Sequence, residues 1–245
     1  MRANRVLILG GTGEARALAA RLAAAGHRVV TSLAGVTSAP RLPAGEVRTG
    51  GFGGIDGLAD WLKAEGIDWL IDATHPFAAQ ISAHADAAAG RAGVRLVRLE
   101  RPAWRPQAGD NWISVADSEA AARALPAQAT ALVTIGGKEV AAFAGRGDVR
   151  VVARMIEAPA ARLPDNWRLV LARPPFRLDD EVALMRAEGV SVVVSKNAGG
   201  PGTAKLAAAR ALGLPVVMIE RPKKPIVTTA ATVDDIQALI RGGNP

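Results

Sequence analysis

The sequence has no cysteine and no tyrosine, and it has only three histidines among 245 residues. Without cysteine the protein cannot form disulfides, thiolate metal sites or a cysteine nucleophile. So few histidines also disfavour a histidine metal cluster, and we expect no metal site. The missing tyrosine removes the Tyr-x-x-x-Lys pair of the extended Rossmann reductases, which argues against a nucleotide-sugar or small-carbonyl reductase.

Long apolar runs are also missing. The longest are short blocks such as Val6 to Leu9, whereas a helix that spans a bilayer needs about 20 consecutive apolar residues. The opening MRANRVLILGGTG passes directly into a strand-like run and lacks the small-residue cleavage site of a secretory signal. We therefore expect a soluble, cytoplasmic protein with no membrane contact.

The chain is basic, with a formal charge of +7, and 24 of its 30 basic residues are arginine. The planar guanidinium group suits bidentate contact with carboxylates and phosphates, which favours an anionic partner. General solubility explains surface arginine equally well. Nucleic acid is disfavoured because the charges are scattered, aromatic residues are few and no recognition motif is present.

Short apolar runs alternate with Ala-rich helical patterns along the chain. Strands are predicted at 5–10, 27–33, 69–73, 94–99, 131–135, 149–154, 168–171, 190–195 and 216–219, and helices at 14–25, 55–65, 78–89, from 138, 179–188, 203–212 and 233–240. Such alternation is typical of an α/β protein with parallel sheets flanked by helices. We predict two Rossmann-like lobes, with an N-terminal domain at 1–99, a linker at 100–111, a C-terminal domain at 112–245 and an active-site cleft between the lobes.

The first strand ends in a glycine-rich turn, Gly10-Gly11-Thr12-Gly13-Glu14, that leads into a helix. Glycines allow close backbone approach of a pyrophosphate, and free amides at a helix start attract its negative charge. The spacing is compressed relative to G-x-G-x-x-G, so a tight turn that needs glycine only for packing is the alternative. We predict a nucleotide contact because a strand precedes the turn and a helix follows it.

The second strand lacks the acidic residue that usually holds the ribose 2′-hydroxyl of NAD. It ends in a segment that contains Ser32 and Gly35, and Thr37 and Arg41 follow. A hydroxyl and a nearby arginine suit a 2′-phosphate better than a free hydroxyl, which favours NADPH over NADH. An ordinary surface loop is the alternative.

Asp72-Ala73-Thr74-His75-Pro76 lies at the carboxyl end of a predicted buried strand, where ligands bind in open α/β sheets. We predict that Thr74 contacts the coenzyme, and that His75 and Pro76 contact the substrate. His75 either binds or transfers a proton. As an alternative, Asp72 and Thr74 cap the next helix.

Two turns in the second half also follow strands and open helices. Neither has the G-x-x-x-x-G-K-[ST] order of a P-loop, so ATP hydrolysis is not supported. Each can still offer amides and a lysine to carboxylates, although a solvated helix face explains Lys138 and Lys205 as well. The predicted anion contacts are Gly137, Lys138, Ser195, Lys196, Asn197, Gly200, Thr203 and Lys205.

Three stretches together carry a resemblance to a known family: LILGGTGEARALA, DATHPFA and SKNAGGPGTAKLAAARALGLPVVMIERP. In this combination and order the chain resembles the precorrin-6A reductase family of cobalamin (vitamin B12) biosynthesis over nearly its whole length. The resemblance implies an NADPH-dependent oxidoreductase that transfers a hydride to a ring carbon of precorrin-6A and gives precorrin-6B. It also implies that the Gly10–Glu14 turn and the 32–37 stretch contact coenzyme.

The substrate implied by this resemblance is a tetrapyrrole with several carboxylates, which an arginine-rich and lysine-containing site would steer and orient. Hydride transfer needs positioning and no side-chain nucleophile, and His75 or Lys196 could supply the proton. Two alternatives stay open: a cobalt-containing substrate of the anaerobic branch, and a non-catalytic two-lobed module that binds a dinucleotide or an anion. Neighbouring pathway enzymes are candidate partners. We expect a monomer or a weak homo-oligomer.

Overall fold

The computed structural model describes residues 3–35, 42–159 and 161–243. Its strands are β1 (Arg5–Leu9), β2 (Arg28–Leu33), β3 (Glu46–Thr49), β4 (Trp69–Asp72), β5 (Arg95–Leu99), β6 (Trp112–Val115), β7 (Thr130–Val133), β8 (Arg150–Met155), β9 (Arg168–Leu171), β10 (Val192–Lys196), β11 (Val216–Ile219) and β12 (Thr229–Ala230). Its helices are α1 (Gly13–Ala24), α2 (Gly54–Ala64), α3 (Ala79–Ala92), α4 (Ser118–Ala124), α5 (Leu178–Ala187), α6 (Ala204–Ala211) and α7 (Val233–Gly242), with a 3-10 helix at Val140–Phe143. No helix in this part of the chain is long and apolar enough to cross a membrane.

The chain forms two compact units. Residues 1–102 and 222–245 make up unit 1, and residues 103–221 make up unit 2. Each unit contains a six-stranded sheet in which every neighbouring pair of strands is parallel. The predicted α/β class with two parallel-sheet lobes is therefore confirmed.

The sheet of unit 1 has the order β12-β5-β4-β1-β2-β3. Read from β3, this is the 3-2-1-4-5-6 order of the Rossmann fold, and the order reverses between β1 and β4. Apolar residues of α1 and α7 cover one face of the sheet, and those of α2 and α3 cover the other. In α1 the residues that face the sheet are Ala15, Leu18, Ala19 and Leu22, all of which are buried. Ligands of such sheets bind at the carboxyl ends of the strands beside the reversal.

The sheet of unit 2 has the order β6-β11-β10-β7-β8-β9. Strands β7 to β11 reproduce the 3-2-1-4-5 part of the same pattern, and β6, which precedes them in the chain, supplies the sixth strand. The reversal lies between β7 and β10. The second ligand-binding edge is therefore expected where these two strands end.

The structure divides the chain differently from the expected domains at 1–99 and 112–245. The last segment belongs to unit 1, because β12 pairs with β5 and because Ile236 and Ile240 of α7 are buried beside α1. The expected linker is also divided, since residues from Ala103 onward belong to unit 2. Apolar periodicity shows that a helix packs on a sheet, but it does not show which of two similar sheets it covers.

Several elements differ from the sequence-based prediction. Strands β3, β6 and β12 and helix α4 were not predicted, because they are short and the three strands lie at sheet edges. The helix predicted from Lys138 is wrong. Its place is taken by the 3-10 helix at Val140–Phe143, a single turn that buries Val140 and Phe143 a few residues before Gly145.

Candidate functional site

The glycine turn predicted to bind a nucleotide lies at the carboxyl end of β1, at the reversal of the unit 1 sheet. Gly10 is required by packing, because a Cβ atom there would lie 2.7 Å from Cγ2 of Thr31. Gly11 is required by conformation, since its φ of +107° lies in the left-handed region. Neither condition applies to Gly13. A Cβ atom at this position would have a guanidinium nitrogen of Arg16 as its nearest neighbour, at 3.7 Å.

Thr12 joins this turn to the end of β4. Its hydroxyl accepts a hydrogen bond from the amide of Ala15, as the N-cap of α1, and donates one of 2.8 Å to the carbonyl of Ala73. The side chain is therefore occupied by the fold. In the part of the chain that the structure describes, the amide groups of Gly11, Thr12, Gly13 and Glu14 have no hydrogen-bond partner. Four consecutive donors at a helix start form a suitable site for a phosphate group.

Glu14 is not free to act as an isolated carboxylate. Its Oε1 atom accepts a 2.7 Å hydrogen bond from Arg101, and the two side chains are partly buried. The pair ties the first turn of α1 to the segment after β5. The group of Glu14 that has no partner among the described residues is therefore its backbone amide.

An arginine on β3 that was not predicted lies beside the end of β2. Arg48 on β3 lies in register with Ser32 on β2 and donates a 2.9 Å hydrogen bond to its hydroxyl. It also donates to the carbonyl groups of Gly50 and Gly51, and its guanidinium stacks 3.7 Å from the ring centre of Phe52. Burial lowers the pKa of Arg48. No carboxylate among the described residues pairs with it.

The sequence also predicted Gly35, Thr37 and Arg41 near the 2′-position of the coenzyme. Gly35 has a φ of +73°, and a Cβ atom there would lie 3.0 Å from Thr49. Thr37 and Arg41 lie outside the described residues. The signal that could have identified Arg48 is the pairing of β2 with β3, because a parallel neighbour brings its carboxyl end to the same sheet edge.

Asp72 and Thr74 form a local unit at the end of β4. The Asp72 carboxylate is buried and accepts hydrogen bonds from the Thr74 hydroxyl at 2.6 Å and from Nε of Arg98 at 3.2 Å. The alternative that these residues cap the next helix is wrong, because α3 begins after Ala78 and has no side-chain cap. The contacts instead hold the turn that presents His75.

His75 is exposed, and the neighbouring Pro76 is buried. The amide of Phe77 donates a 3.3 Å hydrogen bond to Nδ1 of His75. In the neutral imidazole the proton is therefore on Nε2. His75 and Pro76 belong to unit 1, whereas the remaining predicted substrate contacts belong to unit 2.

The reversal of the unit 2 sheet brings together the two lysine-containing turns that the sequence predicted. The turn after β7 holds Gly137, Lys138 and Glu139, and Lys196 ends the neighbouring strand β10. Nζ of Lys196 lies 2.7 Å from Oε1 of Glu139. The Lys196 ammonium is thereby held at the sheet edge. Lys138, which directly precedes Glu139 in the sequence, is exposed. Glu139 was missed, because a lone glutamate after a glycine pair has no distinctive pattern.

Two predicted substrate contacts are occupied within unit 2. Ser195 is fully buried and its hydroxyl donates to the carbonyl of Lys196. The Asn197 side chain is also buried: its Oδ1 accepts from the amide of Trp104 at 2.8 Å, and its Nδ2 donates to the Trp104 carbonyl at 3.2 Å. Both side chains therefore support the loop.

Lys205 lies in the first turn of α6, with its Nζ atom 5.3 Å from the ring centre of Trp104. Burial is the main cause that lowers its pKa to about 8, the Arg154 charge lowers it further, and the Glu181 charge opposes both. Arg154 and Glu181 form a buried ion pair beside it. A lysine with this environment is well suited to receive an anion, because a bound negative charge would favour its protonated form.

Comparisons with known proteins show which family this chain belongs to. The family model described as "Precorrin-6x reductase CbiJ/CobK" matches residues 5–241. A precorrin-6A reductase of Rhodococcus erythropolis is 52% identical over 240 residues, which cover 97% of this chain and 96% of the relative. A cobalt-precorrin-6A reductase of Priestia megaterium is 31% identical over 247 residues, which cover 94% of this chain and 96% of the relative.

A solved structure described as "CobK precorrin-6A reductase" superimposes with a TM-score of 0.92 at 43% sequence identity and covers 98% of this chain and 97% of its own. The match includes the glycine turn, the strand-end turns and both sheets, since it extends over almost the full length of both chains. The chain belongs to the precorrin-6x reductase family.

Proposed function

We propose that this protein is an NADPH-dependent reductase that converts precorrin-6A to precorrin-6B in cobalamin biosynthesis. The observation that carries the proposal is the set of four amides without partners at the start of α1, placed at the sheet reversal of a chain that belongs to a reductase family. In the balanced reaction, precorrin-6A, NADPH and a proton give precorrin-6B and NADP⁺. The coenzyme supplies the hydride, and the residues of this chain bind, orient and protonate.

The pyrophosphate fits the Gly10–Glu14 turn. The amides of residues 11–14 would donate to its oxygens, and the absence of a side chain at Gly13 leaves room for close approach. Thr12 supports this arrangement by fixing the turn to the end of β4. Thr74 lies at that same edge, so we propose that it lies close to the bound coenzyme.

The 2′-phosphate fits the end of β2 and β3. Arg48 is held by two carbonyl groups and by Ser32, and it has no carboxylate to neutralise it among the described residues. A guanidinium in this state would pair with a phosphate that NADPH has and NADH lacks. We propose Arg48 as the principal contact, with Ser32 and Gly35 beside it, and we keep Thr37 and Arg41 as predicted coenzyme contacts from the sequence.

The carboxylates of the tetrapyrrole fit the lysine-containing edge of unit 2. We propose that Lys138, Lys196 and Lys205 bind them, with the backbone amides of Gly137 and Gly200 and the hydroxyl of Thr203 contributing donors. The Thr203 amide itself donates to the carbonyl of Pro201. Ser195 and Asn197 contribute indirectly, because their side chains hold the loop. Positive charge steers and orients a polycarboxylate, and orientation provides most of the rate in a hydride transfer.

Two side chains could deliver the proton, and His75 is the better suited. Imidazole is the side chain that titrates nearest to neutrality, which matches the demand on a general acid. The bond from Phe77 to Nδ1 leaves the proton of His75 on Nε2. Lys196 is held by Glu139 and is better suited to binding a carboxylate. We therefore propose His75 as the donor and, with Pro76, as a contact to the macrocycle.

The metal-free substrate is favoured over its cobalt-containing counterpart. The relative named precorrin-6A reductase is 52% identical to this chain, whereas the one named cobalt-precorrin-6A reductase is 31% identical. We propose that the reaction takes place in the cytoplasm and that the protein acts as a monomer or a weak homo-oligomer. The protein partner that this proposal allows is the next enzyme of the pathway, which would receive the product.

The test is an absorbance assay of the reduced nicotinamide with purified protein. We expect NADPH to be consumed when precorrin-6A is supplied, and we expect no consumption with simple ketones or quinones. If the protein binds NADPH but does not consume it with any tetrapyrrole supplied, the result would instead support a non-catalytic binding module. Faster turnover with cobalt-precorrin-6A would assign the protein to the anaerobic branch.

A further inference from the structure

We propose that Trp104 is a positioning residue for the substrate side of unit 2, which holds the glycine loop 197–203 and the amine of Lys205 in one arrangement. The inference rests on the proposed function, because that loop and that lysine are proposed to bind the tetrapyrrole carboxylates. Trp104 lies in the segment that the sequence predicts to be a linker, and nothing in its sequence context indicates a role.

The first contact is a reciprocal pair with Asn197. The Trp104 backbone donates to Oδ1 of Asn197 and accepts from Nδ2 of the same side chain, so that the amide is held on both sides. Asn197 is only 4% exposed. Because buried amide groups are costly to leave without partners, this pair fixes the position of Trp104 against the start of the loop.

The second contact reaches the middle of the loop. The indole Nε1 of Trp104 donates a 2.7 Å hydrogen bond to the carbonyl of Gly200. Gly199 and Gly200 have φ values of +70° and +78°, so this segment is built from residues with large conformational freedom in the unfolded chain. Ordering such a segment costs conformational entropy, and hydrogen bonds to its carbonyls offset part of that cost.

Arg221 also holds the start of the loop. Its Nε donates a 2.9 Å hydrogen bond to the Asn197 carbonyl, and its guanidinium also donates to the carbonyl of Ala198. The carbonyl groups at 197, 198 and 200 are therefore all held by Trp104 or Arg221. Among these contacts, only those of Trp104 extend to the lysine.

The third contact is with Lys205. Its Nζ atom lies over the indole ring, and it has no hydrogen-bond partner among the described residues. The charged groups that influence it are Arg154 on β8 and Glu181 on α5, which are paired with each other. The Trp104 ring thus supports the Lys205 ammonium at the position where a substrate carboxylate would bind. One side chain therefore sets both the loop and the lysine.

Trp112 provides a matched control in the same unit. Its indole Nε1 is buried and has no hydrogen-bond partner among the described residues, and its ring packs against the same core as that of Trp104. Trp112→Phe therefore removes an indole N–H without breaking a hydrogen bond. Trp104→Phe removes an indole N–H that holds Gly200 and retains an aromatic ring under Lys205.

The experiment compares steady-state reduction of precorrin-6A by the wild type and both variants at saturating NADPH. For Trp104→Phe we expect the KM for the macrocycle to rise about fivefold, the effect of one lost hydrogen bond, with kcat within about twofold of the wild type. For Trp112→Phe we expect both parameters within about twofold. Equal behaviour of the two variants, or a loss in kcat alone, would overturn the positioning role.

A second measurement needs no substitution of Trp104 and uses the wild-type protein. In ¹⁵N spectra the five indole N–H signals are followed while uroporphyrin, an unreactive tetrapyrrole polycarboxylate, is added. We expect the Trp104 signal to shift and the Trp112 signal to stay in place. A Trp104 signal that does not respond, although uroporphyrin binds, would reject the inference. A wild type that binds uroporphyrin but never consumes NADPH would reject the proposed reaction and leave the positioning role supported by the Trp104 shift.

Discussion

Arg48 and Ser32 are sixteen residues apart in the sequence, and the guanidinium of one donates a 2.9 Å hydrogen bond to the hydroxyl of the other. They meet because β2 and β3 are parallel neighbours in which Ser32 is in register with Arg48. The contact places a positive charge at the strand end where Rossmann proteins specific for NAD usually carry an acid. Coenzyme choice in this protein is therefore expected to depend on a residue of the third strand.

Replacement of Arg48 by alanine tests that expectation. A charge-assisted contact to phosphate contributes about 1.5–3 kcal/mol, so Arg48→Ala should weaken NADPH binding roughly 10- to 100-fold while NADH binding changes less than about twofold. Fluorescence titration of the wild type should show NADPH at least about tenfold tighter than NADH. Arg91→Ala, which removes an exposed arginine paired with Asp56 in the same unit, is the control. A parallel loss for both coenzymes would contradict a 2′-phosphate contact.

The glycine turn allows stability and binding to be separated. Gly10→Ala places a methyl group 2.7 Å from Thr31, and overpacking of this kind costs about 1–3 kcal/mol of unfolding free energy. Gly13→Ala meets no such contact within the protein and should leave stability equal or slightly higher. It should nevertheless weaken NADPH binding, because its methyl group would occupy the space where the pyrophosphate approaches. Urea unfolding and coenzyme titration measure the two effects. A Gly13→Ala variant that binds NADPH as the wild type does would place the pyrophosphate elsewhere.

Proton delivery can be assigned by two substitutions. His75→Asn keeps a group that can accept from the Phe77 amide but cannot donate a proton from a ring, and it should lower kcat by about 100-fold or more. Lys196→Met should raise the KM for the macrocycle and leave kcat within about tenfold, as expected for a residue that binds a carboxylate. Both parameters follow from initial rates with precorrin-6A. The reverse pattern would transfer the acid role from His75 to Lys196.

The buried pair of Arg154 and Glu181 is expected to be important for the stability of unit 2. Their side chains are 6% and 1% exposed, and removing one partner of such a pair costs about 3–5 kcal/mol because the other charge is left buried. Glu181→Gln should therefore lower the unfolding free energy by that amount in urea. Asp165→Asn, which breaks the exposed pair with Arg162, should change it by less than about 0.5 kcal/mol. Similar effects of the two substitutions would show that the buried pair is solvated.

His27 makes the stability of unit 1 depend on pH. Burial and the nearby Arg241 lower its pKa from 6.5, and its Nδ1 accepts a hydrogen bond from the Asn4 amide. The unfolded chain therefore takes up a proton near pH 6.5 while the folded chain does so only at lower pH. The free energy of unfolding should fall as the pH decreases through this range. Urea unfolding between about pH 7.5 and pH 5.5 should show a weaker decline for His27→Gln. Identical slopes would mean that His27 is equally basic in both states.

Much of this protein is determined by local pattern. The buried run of β1, the stripe of α1 and the glycines at 10 and 11 follow from periodicity and steric necessity within a few residues. For the same reason the sequence alone indicated the turns after β4, β7 and β10. A strand followed by glycine and a helix is a local event, and parallel sheets collect the ends of their strands at one edge.

The tertiary structure decided what depends on pairing between distant segments. The last strand and helix join unit 1 because β12 finds an edge on β5, which no periodicity specifies. Arg48 reaches Ser32 only through the β2–β3 pairing, and Trp104 reaches Asn197 and Gly200 across 93 and 96 residues. Sequence spacing determines which residues share a face of one element, whereas contacts between elements depend on the order and register of strands.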